Sequence, residues 1–174
     1  VPQMFPYYKV SNSEEDINYI SSLESEHLPP LLICLDFGSN PESIEGFKVA
    51  KEWGFEIIML DHHPPHDPSI KKYFDVFVSA WDVKNDHYSS NYCTGLLATE
   101  LAKRIKKVDV DWLARISMTA DQSVFVKPTQ KDIKFSTAIT YILATSKYKQ
   151  TIDDMYRAVH DEETIDFAFA QAEE

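Results

Sequence analysis

Two apolar runs, LLICLD at 31–36 and FEIIML at 55–60, each lead directly to an aspartate, and together they leave little choice of fold. Apolar runs of this length, without polar alternation, mark strands buried on both faces, as in a parallel sheet. Between them Asn40 suits a helix N-cap, Pro41 the first helical position and Glu42 the positive helix end. Ile44, Phe47, Ala50 and Trp53 then recur at helical spacing, and Gly54 closes the helix. Strand, helix and strand in so short a span make a βαβ unit, with parallel strands and a right-handed crossover.

The remaining segments extend that unit. FPYYKV at 5–10 reads as a short strand, and Ser11 with Glu14 gives a capping-box pattern opening a helix to about Leu23. YFDVFVSA at 73–80 reads as a further sheet strand. Beyond it the period changes: Leu97, Leu101 and Ile105, then Leu113, Ile116 and Ala120, then Phe135, Ile139 and Ile142 predict three helices. The expected architecture is α/β, one domain with a doubly wound parallel sheet in residues 1–80 and a mainly helical half in 81–174. The acidic end from Asp161 to Glu174 reads as a helix or a fraying tail.

Composition narrows the function. At 174 residues, 44% hydrophobic and 26% charged, the chain suits one globular domain. No apolar run approaches the roughly 20 residues of a membrane helix, and no basic, apolar leader opens the sequence. Cys34 and Cys93 form no metal-type pair and read as buried free thiols of a cytoplasmic protein. The net charge of -11 speaks against a broad electrostatic hold on nucleic acid. It leaves room for a nucleic-acid substrate, because a carboxylate site is acidic until metal fills it.

Chemistry concentrates where the strands end. Asp36 follows the first run, and Asp61, His62 and His63 follow the second, so both groups lie at the carboxyl edge where open α/β sheets bind ligands. A lone aspartate after a strand is usually a cap or a solvated turn. Two aspartates with two adjacent histidines on one edge are harder to dismiss. Strand alternation places the His62 and His63 rings on opposite sides of the chain, one able to reach a metal and the other a bound phosphate. Carboxylate with imidazole suits Mn²⁺ or a similar ion better than Ca²⁺. Asp121, after the helical run ARISMTA, has small neighbours that allow close approach. Gly38 and Ser39, before a helix start, could hold a phosphate, although a plain capped turn explains them better. His66 and His87 read as loop residues, His27 and His160 as surface positions, and Lys103, Arg104, Lys106 and Lys107 as a solvated helix end.

These motifs resemble those of the DHH-family phosphoesterases. ICLDFGSN looks like the family's second motif, IIMLDHHPP like the name-giving third and TADQS like the fourth. The stretch VSAWDVKNDHYSSNYCTGLLATELAKRI between them is similar to the linking segment of RecJ-like exonucleases, archaeal ones in particular. The resemblance implies Asp36, Asp61, His62 and Asp121 as metal-binding positions, with Asp61 also able to orient the motif. It implies contact of His63 with the scissile phosphate, making His63 and Asp61 the catalytic pair. The cofactor would be Mn²⁺ or Mg²⁺, two ions in a complete site and one or none here.

The family's first motif has no counterpart in residues 1–30, so the chain, which starts at Val1, reads as a piece of something longer. The implied function is a single-strand-specific exonuclease of DNA replication or repair, acting on DNA rather than RNA. The alternatives are an inactive scaffold that binds GINS and the replicative helicase, and a manganese-dependent hydrolase of small phosphoesters.

Overall fold

In the computed structural model of the chain, the described residues are 29–36, 43–64, 68–83, 88–145 and 152–173. The strand expected at 5–10, the helix after Ser11, the Asn40–Pro41 helix start, Gly38, Ser39, His27, His66 and His87 lie outside them. The chain divides into two compact units, residues 7–98 and residues 99–174 together with 1–6.

In the first unit the apolar runs become strands β1 (Leu31–Leu35) and β2 (Glu56–Asp61), joined by β3 (Val76–Ser79) in a parallel sheet of order β1-β2-β3. Leu35 pairs with Leu60, and Asp61 with Ser79, which brings Asp36 and Asp61 to the same carboxyl edge. Helix α1 (Ile44–Glu52) makes the first crossover and lays Phe47 and Ala50 against Cys34, Ile57 and Met59. A 3₁₀ turn, Pro68–Tyr73, makes the second and buries Ile70 in the same core. Phe47, Ile57, Met59 and Ile70 are fully buried, each worth about 1.5–3 kcal/mol of transfer free energy. Gly54 ends α1 at φ 81, where its N–H donates to the Lys51 carbonyl (3.0 Å) and the Phe55 N–H to that of Ala50 (3.0 Å). That is the paired bonding of a helix end that needs a left-handed residue.

One expectation fails here. Strand β1 is not covered on both faces: Leu32 and Cys34 turn to the core, while Leu31, Ile33 and Leu35 are 52%, 53% and 47% exposed. β1 is an edge strand among the described residues. A run apolar on both faces carries no alternation, so it reads the same whether one face or two are covered.

After β3 come a single helical turn, α2 (Ala80–Val83), and helix α3 (Thr94–Ile105), which begins in the first unit and ends in the second. The second unit continues with α4 (Asp111–Ala120), α5 (Gln130–Ala144), α6 (Ile152–His160) and α7 (Glu162–Glu173). The three apolar stripes fall within α3, α4 and α5, and the acidic end is a helix. Ala138 and Ile142 of α5 pack on Ile165 and Ala168 of α7, the two alanines allowing close approach. Thr129 and Asp132 form a capping box at the start of α5. Arg115 of α4 grips the same Asp132 through Nη2 (2.6 Å) and Nε (3.4 Å). Arg115, with the Thr129 N–H, holds the Asp132 carboxyl well below the usual range. Cys34 and Cys93 are both buried and outside any disulfide, and burial pushes the Cys34 thiol up to about 12.

Candidate metal centre

Asp36 lies one residue beyond β1, and its N–H still donates to the Leu60 carbonyl (3.1 Å). Its φ of 59 is left-handed, a conformation that costs most residues about 1–2 kcal/mol and that aspartate tolerates better than most. The side chain is 50% exposed. Its Oδ1 accepts a hydrogen bond from Thr94 Oγ1 (2.9 Å) and stands 3.2 Å from His62 Nε2 and 3.8 Å from His63 Nδ1.

Asp61 has a different setting. Its side chain is only 3% exposed, and its Oδ1 faces the His62 N–H (2.9 Å), the His63 N–H (3.3 Å) and His63 Nδ1 (2.8 Å). The carboxylate therefore ends the strand by folding the next two residues back over itself, as aspartate does in turns. Strand alternation stops at that point, which corrects a second expectation. The His62 and His63 rings do not lie on opposite sides of the chain; they meet edge to face with centroids 4.7 Å apart.

His62 is held at both ends. Its carbonyl accepts from Trp81 Nε1 (2.9 Å), and its Nδ1 is 2.7 Å from the Ser90 carbonyl. A carbonyl only accepts, so Nδ1 carries the proton. In the neutral ring Nε2 then presents a lone pair to the Asp36 oxygen 3.2 Å away. Two electron-pair donors this close attract only when a proton or a cation lies between them. The protonated form of the His62 ring, which can donate from Nε2, holds the Asp36 carboxyl below its usual range; partial burial opposes this, and the Thr94 hydroxyl and the charge of the imidazoles assist.

Asp36, His62 and His63 each offer an atom within 4.8 Å of the others, and they form the one such group among the described residues. A carboxylate oxygen with imidazole nitrogens suits a divalent transition ion. An imidazole that donates its other N–H to a backbone carbonyl is the usual arrangement behind a metal-binding histidine. The donor set fits a metal. Asp61 is outside this group and serves as the turn's acceptor. His63, expected at phosphate, stands with the ligand atoms.

Asp121 belongs to the second unit, where it is the exposed C-cap of α4. The next residue, Gln122, is left-handed at φ 53, and the bonds from Gln122 N–H to Thr119 (3.2 Å) and Ser123 N–H to Met118 (2.9 Å) repeat the helix end seen at Gly54. The residues that sequence reasoning missed are Trp81, Ser90 and Thr94. All three fall in the 78–105 stretch noted for its resemblance, but a backbone carbonyl and a single hydroxyl leave no residue-type signal of their own.

No family model matches the chain. An uncharacterized protein of Methanocaldococcus jannaschii is 31% identical over 111 residues, covering 60% of this chain and 14% of that protein. A solved structure described as the DHH domain of a member of a family of ribosomal proteins superposes on it with a TM-score of 0.70 at 21% identity. That match covers 99% of this chain and 46% of the other, so the chain spans less than half the length of either protein. With its parallel sheet followed by helices, the chain has the fold of a DHH domain.

Proposed function

We propose that this chain is the metal-binding part of a phosphoesterase, the DHH domain of a RecJ-like exonuclease acting on single-stranded DNA in replication or repair. One observation carries the reading: His62 Nε2 faces Asp36 Oδ1 at 3.2 Å with its other nitrogen already committed. Asp36 and His62 would hold Mn²⁺ or Mg²⁺, with His63 beside them. When bound, the ion supplies Lewis acidity toward a phosphate oxygen and acidifies water. Asp61 orients the His63 ring through Nδ1, which leaves Nε2 of that exposed ring to meet a ligand or a phosphoryl oxygen. Gly38 and Ser39 keep a proposed phosphate-binding role from their place before a helix start, and Asp121 a proposed ligand role from the resemblance alone.

The solved neighbour's description as a member of a family of ribosomal proteins favours RNA as the second substrate reading. The test combines binding and turnover. Calorimetric titration of the 174-residue chain with Mn²⁺ should give a binding isotherm that His62→Ala abolishes, and Asp121→Asn in the same titration tests that residue. Offered single-stranded DNA, single-stranded RNA and a simple phosphomonoester, the Mn²⁺-loaded chain should favour DNA, with slow turnover because its ligand groups are few. Preference for RNA or for the phosphomonoester would reassign the substrate. Binding unchanged by His62→Ala would overturn the metal site and favour the scaffold that binds GINS and the helicase.

A further inference from the structure

We propose that Thr94 is a positioning residue for this centre, setting the carboxylate oxygen of Asp36 toward the ion; the inference rests on the metal-binding reading above. Thr94 is 58 positions from Asp36 in sequence, and its side chain is the hydrogen-bond donor to Asp36 Oδ1 at 2.9 Å. Asp36 needs such a donor. It follows the last residue of β1, its backbone is left-handed and its side chain is half exposed, so beside the two imidazoles it is the Thr94 hydroxyl that restricts its rotamers.

Thr94 is the first residue of α3 rather than its cap. Here the Leu97 N–H is taken by the Cys93 carbonyl (3.2 Å), and the Thr94 hydroxyl donates to the carboxylate. The segment carrying it is firmly seated: Ser89 and Cys93 are fully buried and Thr94 nearly so. That same segment supplies the Ser90 carbonyl that orients the His62 ring. One short, partly buried stretch therefore contacts both the oxygen and the nitrogen that face each other across the site.

Co²⁺ is a suitable probe, because its visible absorption reports ligand geometry independently of turnover. The 174-residue chain, Thr94→Val and Thr94→Ser are titrated with Co²⁺ and with Mn²⁺. Thr94→Val keeps the shape and loses the donor, and should raise Kd on the order of 10-fold or more, as loss of an outer partner of a metal ligand does. It should also change the Co²⁺ absorption envelope. Thr94→Ser restores the hydroxyl and should restore both affinity and spectrum. If Thr94→Val does not fold, Thr94→Ala carries the same loss. Wild-type affinity and spectrum in the Val or Ala variant overturn the positioning role and leave the metal site standing. Absence of Co²⁺ and Mn²⁺ binding by the wild-type chain overturns both.

Discussion

Asp36 and Asp61 close neighbouring parallel strands after similar apolar runs, yet their surroundings differ in almost every respect. Asp61 is buried and saturated, its Oδ1 committed to two backbone N–H groups and an imidazole. Asp36 is half exposed and left-handed, facing an imidazole nitrogen that cannot donate to it in the neutral state. Asp61 builds the turn; Asp36 is the one proposed to hold a cation. Position at the carboxyl edge marks both as candidates, and burial with hydrogen-bond partners separates them.

The sharpest break of that comparison is in stability. Asp61→Ala leaves three part-buried donors without their acceptor and should cost about 2–3 kcal/mol in urea denaturation. Asp36→Ala should cost less, about 1 kcal/mol, because it removes one hydroxyl hydrogen bond at a half-exposed carboxylate. Equal losses would erase the distinction.

Metal should reverse the ranking. At an Mn²⁺ concentration about 100 times Kd, binding to the folded state adds roughly 2.7 kcal/mol, visible in a melting curve. Asp36→Asn should remove that gain, and Asp153→Asn, a change in α6, should leave it intact.

Acid provides a control remote in sequence from the site. The Asp132 carboxyl is depressed in the folded chain, by Arg115 first and then by the Thr129 N–H. Its folded pKa lies below the unfolded value of about 3.9, so the unfolded chain binds the extra proton and stability rises with pH. The contribution is present above that unfolded value and is lost as pH falls through the folded one. Asp132→Asn should flatten the acid limb of a stability–pH curve. Asp132→Ala, which removes cap and ion pair together, should cost about 1–2 kcal/mol at neutral pH. The smallest effect concerns the two matching helix ends. Gln122→Gly should stabilise by about 0.5–1 kcal/mol, since it gives α4 the residue that α1 already has in Gly54.

Much of this was legible in the sequence. The runs ending at Asp36 and Asp61, the stripe from Ile44 to Ala50 and the close of α1 at Gly54 are local signals, and each fixes an element without tertiary help. The open face of β1 was not legible, because burial of an all-apolar strand depends on what packs on it. Nor was the meeting of the His62 and His63 rings, since alternation predicts opposite sides until the Asp61 side chain ends the strand. Thr94, Ser90 and Trp81 reach the site only through the fold. Gln122 hides a helix end that glycine would have announced.

A metal site at Asp36, His62 and His63, as proposed above, must be preferred over the many places to which a net charge of -11 would attract cations. Amide NMR spectra recorded during an Mn²⁺ titration test it most directly, because the paramagnetic ion broadens signals only near where it sits. A metal site there predicts early loss of signals from Asp36, Asp61, His62, His63, Ser90 and Thr94 at substoichiometric Mn²⁺. Broadening that leaves these six residues sharp, or that spreads evenly over the aspartates and glutamates of the chain, would contradict it.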